Sequence, residues 1–262
     1  MLDFKIDIGY NRLNHILNKT KKGVNMALYD RDYIHNQAAQ RGAEREEIRY
    51  EEPGVRSEAE LANFIKTTYQ LFAASCLAGA AGAYVGMGMV QTISQWYIGL
   101  VILEFAMLFG LFMTRRKPGL NMAMLFGFTF LTGITLTPLL AAVGMGVVAQ
   151  AFFLTALIAG GLSLYAMQST RDFSSWGKPL MIALIILVVG SVVNLFLGSP
   201  MLQVIIAGAG ALLFSFMIIY DTQMIIRGAF ATPVEAAIAI YLDVLNLFIS
   251  LLQILGIFGS DD

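Results

Sequence analysis

Histidine is missing from every apolar stretch of this chain, and cysteine occurs once. The two histidines, His15 and His35, lie in the polar first part of the sequence, and the cysteine is Cys76. These absences exclude whole classes of chemistry. A zinc hydrolase working inside a membrane needs imidazole or thiolate ligands, and a serine–histidine protease needs an imidazole base. One thiol cannot make an internal disulfide, and Cys76, set in an apolar run, reads as a buried, inert side chain. The last apolar run holds no lysine for a retinal Schiff base, and no glycine-rich phosphate loop is present. Charge is scarce too. Only 13% of residues are charged while 57% are apolar. That balance describes a polytopic membrane protein, not a soluble domain.

The charge that exists is segregated. Ten of the 17 Lys and Arg, and eleven of the 18 acids, fall in residues 1–60. This tail is charged but balanced, so it exerts no strong pull toward nucleic acid. Asp3, Lys5, Asp7 and Arg12 interrupt any apolar core of a signal peptide. Met26 opens MALYDRDY, which makes residues 1–25 an expected upstream extension. The expected organisation is a polar, partly disordered cytoplasmic tail (1–60), a transmembrane domain (61–258) and a short non-cytoplasmic end (259–262).

Seven apolar segments are long enough to cross ~30 Å of hydrocarbon at about 20 residues each. They fall near 63–85, 92–114, 120–143, 147–168, 179–197, 201–226 and 234–258. The expected fold is therefore an all-α membrane protein with seven transmembrane helices. Basic residues of the connections (Arg115, Arg116 and Lys117; Arg171 and Lys178; Arg227) alternate with loops that carry none. The positive-inside rule then places the N-terminus in the cytoplasm and the C-terminus across the membrane. Small residues in the first, fourth and sixth segments, including Gly79, Gly82, Gly160, Gly161 and Gly210, predict close helix packing. Pro138 predicts a kink in the third, with Thr135 and Thr137 helping to satisfy the carbonyl of Ile134 that it frees.

Four acids lie within or beside the segments: Glu104, Asp221, Glu235 and Asp243. Glu235, three residues after Thr232 and two after Pro233, reads as part of a helix N-terminal cap. Asp221 and Asp243 have only apolar or neutral neighbours for five positions on either side. A charge near the bilayer centre costs ~3 kcal/mol on insertion scales, so such residues face the bundle interior and mark function. The sixth and seventh segments are antiparallel neighbours, which puts the two carboxylates at similar depth in the cytoplasmic half. In low dielectric they do not both ionise readily, so they titrate as a unit and can hold a shared proton. Fully ionised, they offer hard oxygen ligands suited to calcium. Asp243, Asn246, Ser250 and Gln253 follow at spacings of three, four and three, on one helical face. That stripe lines a pathway or binds neighbouring helices by hydrogen bonds. Arg115, the basic residue nearest the second segment, would reach in toward Asp221.

The motifs TGITLTPL (132–139), IIYDTQ (218–223) and AIAIYLDVLNLFISLLQILG (237–256) resemble the Bax inhibitor-1 family of transmembrane Bax-inhibitor-motif proteins. The resemblance covers residues 60–258. It implies a seventh helix at the centre, ringed by the other six, and a pH-sensitive passive calcium leak. It also implies that Asp221 and Asp243 form the proton-sharing sensor and calcium site, that Arg115 is a gating latch on Asp221, and that Glu104 lines the pore. No cofactor is implied beyond calcium as the transported ion. Calcium, protons and lipid are the expected partners, and a bacterial inner membrane the expected location.

Two other classes compete. In one, the protein is a membrane regulator that restrains a membrane protease or a cell-death partner without conducting ions. In the other it is an intramembrane aspartyl protease. Those enzymes carry glycines around the second aspartate, whereas Ile240, Tyr241 and Leu242 precede Asp243, so no enzyme is expected.

Overall fold

A computed structural model of the chain describes residues 56–115 and 117–258. Residues 1–55 of the expected tail and the expected C-terminal end (259–262) lie outside the described residues, as does Arg116, while the last residues assigned to the tail already form the cap and first turn of α1. Among the described residues, all regular secondary structure is helical, without strands. Seven helices are labelled here: α1 (Glu58–Met87), α2 (Tyr97–Met113), α3 (Pro118–Val143), α4 (Met145–Gln168), α5 (Gly177–Leu197), α6 (Pro200–Ile226) and α7 (Pro233–Phe258). A six-residue helix, Val90–Gln95, precedes α2, and one 3-10 turn, Ser174–Trp176, precedes α5.

Six of these helices are long and apolar enough to cross a membrane. The exception is α2, with 17 residues, or ~25 Å at 1.5 Å per residue. The second segment breaks at Trp96, whose backbone leaves helical geometry (φ −101°, ψ 13°) between Val90–Gln95 and α2.

Local chemistry sets the other boundaries. Ser57 accepts from the Glu60 amide at 3.3 Å while Glu60 accepts from the Ser57 amide at 2.8 Å. This capping box starts α1 a turn and a half before its apolar stretch. Gly198 ends α5 in left-handed geometry (φ 60°), and Ser199 with Pro200 opens α6. α3 runs through Pro138. The hydroxyls of Thr135 and Thr137 bond other carbonyls, Thr132 and Leu131 for the first and Gly133 for the second, and not Ile134.

The tightest seam joins α1 to α3. A methyl group at Gly82 would collide with the Phe130 carbonyl, and one at Gly133 with that of Gly79. Small residues are required there so that the backbones can meet. Gly160 and Gly161 correct the sequence expectation: a methyl group on either would meet nothing within 4 Å. α7 packs on α6 most extensively, then on α1 and α4, and lightly on α3. α5 rests mainly on α6 and presents most of its surface outward, with Ile182, Ile186 and Val189 exposed.

Candidate functional site

α6 and α7 lie side by side and bring Asp221 and Asp243 together. Asp221 is 8% exposed and Asp243 is 2% exposed, and the two carboxyl groups are direct electrostatic neighbours. Asp221 stands five residues before the end of α6, ~8 Å from it, and Asp243 ten residues into α7, ~15 Å. Asp243 Oδ2 is buried and meets no N–H or O–H donor. An acceptor left bare in a low-dielectric interior is costly, and a second carboxyl beside it makes the cost larger. A proton between the two would supply the missing donor.

The chain around Asp221 is anchored on both sides. Thr222 donates to Ser163 of α4 at 3.2 Å. Gln223, also buried, accepts from the Phe173 amide at 2.8 Å and donates to the Arg171 carbonyl at 2.6 Å. The α4–α5 connection is thereby pinned to the C-terminal end of α6. Sequence reasoning passed over Gln223, although it stands inside the motif IIYDTQ, because an amide next to a charged residue attracts less notice. At the surface, the Ser174 amide, its hydroxyl and the Arg227 guanidinium hold Asp172 below the usual carboxylate range.

Arg115 does not meet Asp221. Its Nη1 lies 3.9 Å from Oε1 of Glu235, the residue read from sequence as a cap. The packing agrees: α2 rests on α3 and has no substantial contact with α6. Glu235 does play its backbone part in the cap, its amide donating to Thr232 Oγ1 at 3.2 Å, while its carboxylate turns to Arg115.

The polar stripe of α7 divides. Ser250 faces α6, its Oγ 2.6 Å from where a methyl group on Gly210 would stand. Asn246 and Gln253 instead line a cleft of about 480 Å³ between α2, α3 and α7, with Glu104, Thr132 and Thr135. Glu104 accepts from the Thr135 hydroxyl. Asn246 donates to Leu242 of its own helix at 2.7 Å. Gln253 accepts from Gln203 at 2.9 Å, which accepts in turn from Asn194 at 3.0 Å, an amide chain across the far ends of α5, α6 and α7. Neither aspartate lines the cleft. Among the described residues, no three His, Cys, Asp or Glu side chains gather as a metal cage.

Comparison with known proteins places this geometry in a lineage. The family model described as "Inhibitor of apoptosis-promoting Bax1" matches residues 61–260. An uncharacterised protein of Helicobacter pylori (strain J99) is 48% identical over 90% of this chain and 100% of its own length. An uncharacterised membrane protein of Vibrio cholerae is 36% identical over 76% of this chain and 91% of its own. A Golgi anti-apoptotic protein of vaccinia virus (strain Lister) is 38% identical over 59% of this chain and 65% of its own.

Proposed function

The chain belongs to the Bax inhibitor-1 family of membrane proteins, and from that premise we propose that it is a passive calcium leak controlled by a proton held between Asp221 and Asp243. The observation that carries this reading is the facing pair itself. Two carboxyls from adjacent helices meet inside an apolar bundle, and one oxygen lacks any donor. With one proton between them the pair is an attractive contact that holds α6 to α7. With both ionised it is a repulsion in low dielectric, which drives the helices apart. The first state is closed and the second open, so flux rises as pH rises through the titration of the pair. Calcium takes six to eight oxygen ligands, and two carboxylates supply too few for tight capture. That suits passage over storage.

In this reading the cleft holding Glu104, Asn246 and Gln253 is the outer part of the path, separated from the pair in the closed state. Ser250 borders the path from the α6 side. Arg115 latches the inner end of α7 through Glu235. α2, with the short helix before it, completes a seventh crossing. The N-terminus is then cytoplasmic, the C-terminus lies opposite, and α7 is the central helix of the bundle in a bacterial inner membrane. Calcium entry into proteoliposomes, measured from pH 5 to 8, tests the proposal. Asp221→Asn and Asp243→Asn proteins that keep a wild-type pH profile would refute it.

A second reading is favoured by the viral relative, whose name is anti-apoptotic. Here the pair sets a helix-packing state recognised by a membrane protease or another membrane partner, and no ion passes. Purified protein that conducts nothing but retains a membrane partner through detergent extraction would decide for it.

A further inference from the structure

One arginine joins the start of α1 to the loop between the two acid-bearing helices. Arg56 Nη1 donates to the Gly228 carbonyl at 2.7 Å, and Nη2 donates to the carbonyls of Phe230 and Ala231 at 2.8 and 3.1 Å. The guanidinium carbon sits 4.1 Å from the centroid of the Phe64 ring. The planar fork thus spends its donors on three carbonyls while its face rests on an aromatic ring, a set of contacts that suits guanidinium and not ammonium. Its place is fixed from behind, because Ser57 and Glu60 cap α1 at the next residue. It is fixed from in front by Gly228, whose left-handed backbone (φ 65°) presents its carbonyl. A methyl group there would stand 2.8 Å from Nη1. Cations are also favoured beside the exposed carbonyls at the end of a helix such as α6.

The loop that Arg56 grips is the covalent link between α6 and α7, so it sets how far one helix slides along the other. Asp221 lies seven residues before Gly228, and Asp243 thirteen after Phe230. We propose that Arg56 is a positioning residue for the aspartate pair: by gripping the α6–α7 loop it holds the two helices in the register at which their carboxyls meet. The inference rests on the leak reading for its consequence in transport, but the geometry it asserts can be read without any flux.

The test uses the full chain in liposomes at pH 5, the acidic end of the range, where the leak reading has the pair share its proton. Arg56→Gln raises calcium entry about fivefold, within the range of coupling between residues that share a structural unit. Arg56→Lys, which keeps the charge but grips fewer carbonyls, falls between the two, and Gly228→Ala, which crowds the clamp from the other side, reproduces the increase. In an Asp221→Asn, Asp243→Asn background, Arg56→Gln changes entry by less than about twofold, because no charge remains to be released. An equal increase in both backgrounds would mean a loosened bundle and would overturn the proposal. Infrared difference spectra supply the readout independent of transport. The carboxyl band that Asp221→Asn removes should shift toward that of an isolated acid in Arg56→Gln. An unshifted band overturns the clamp, whereas a shifted band in protein that passes no calcium upholds the clamp and removes the leak.

Discussion

α5 and α7 are both long apolar helices, yet only one carries a buried carboxylate. In α5 just 6% of the apolar window is buried within the protein, against 39% in α7. The polar residues of α5 near its C-terminal end, Ser191 and Asn194, are spent on a backbone carbonyl of its own helix and on the amide chain to Gln203. α7 instead holds Asp243, Asn246, Ser250 and Gln253 against helices or a cleft. The difference teaches where a bilayer protein can keep a charge. Lipid offers no donor, so polarity survives only on a helix with neighbours. α5 is a wall toward lipid, and the helix that looks compromised by polar residues is the working part in the leak proposed above.

The sharpest way to break this contrast is to put a carboxylate on the wall. Ile186 is 67% exposed near the middle of α5. Ile186→Asp should lower the correctly inserted fraction by about two orders of magnitude, since a central aspartate costs ~3 kcal/mol. A glycosylation-reporter insertion assay checks it, and normal insertion would show that lipid exposure does not distinguish the two helices. The same contrast applies to glycine. Gly82→Ala strikes the Phe130 carbonyl, whereas Gly160→Ala meets nothing. The first should cost about 2 kcal/mol of stability by overpacking. The second should be neutral or stabilising by under about 1 kcal/mol through helix propensity. Titration of the detergent-solubilised protein with dodecyl sulfate measures both.

On the α7 side, Asp243→Asn should lower calcium entry at pH 8 about tenfold, a change of ~1.4 kcal/mol, and leave a flat profile from pH 5 to 8. An amide hydrogen-bonded to Asp221 mimics the shared proton at every pH. A residual rise with pH would place the sensor elsewhere. Gln253→Ala removes one interhelical hydrogen bond to Gln203, for which ~0.6 kcal/mol is the average in membrane bundles. The dodecyl sulfate titration should register a shift no larger than that, with the pH profile of entry unchanged.

What could be read from the sequence follows the same division. Asp221 and Asp243 stood out because a charge in an apolar run is decisive by itself, and helix spacing placed them at comparable depth. Helix limits set by composition came within a few residues, as at Pro200–Ile226 and Pro233–Phe258. Contacts between distant segments were not legible. Arg115 was aimed at Asp221 because its position on the second segment was known and its neighbours were not; packing gives it Glu235. The stripe on α7 looked single because spacing reports a face of a helix and not what covers it. Gly160 and Gly161 resemble Gly79 and Gly82 in sequence, and only the neighbouring helix tells them apart. Arg56 reaches carbonyls 172 to 175 positions away, beyond any local pattern.

The smallest effect belongs to the pair that most resembles a conventional ion bridge. Arg227 Nη1 and Asp172 Oδ1 are 2.7 Å apart, but their side chains are 41% and 64% exposed. Water screens such a pair, and holding two mobile side chains offsets the attraction. Asp172 is held below its usual pKa chiefly by the Ser174 amide, with the Arg227 contribution smaller. A carboxylate with a depressed pKa stabilises the fold above its unfolded value near ~4, and that contribution is lost as pH falls through the lower folded value. Arg227→Gln should therefore leave calcium entry at neutral pH within about twofold of wild type and alter resistance to dodecyl sulfate only slightly, the deficit vanishing as pH falls through the lowered pKa of Asp172. A large loss at neutral pH would place Arg227 with the buried helices, and the line between wall and working part would have to be redrawn to include the exposed loops.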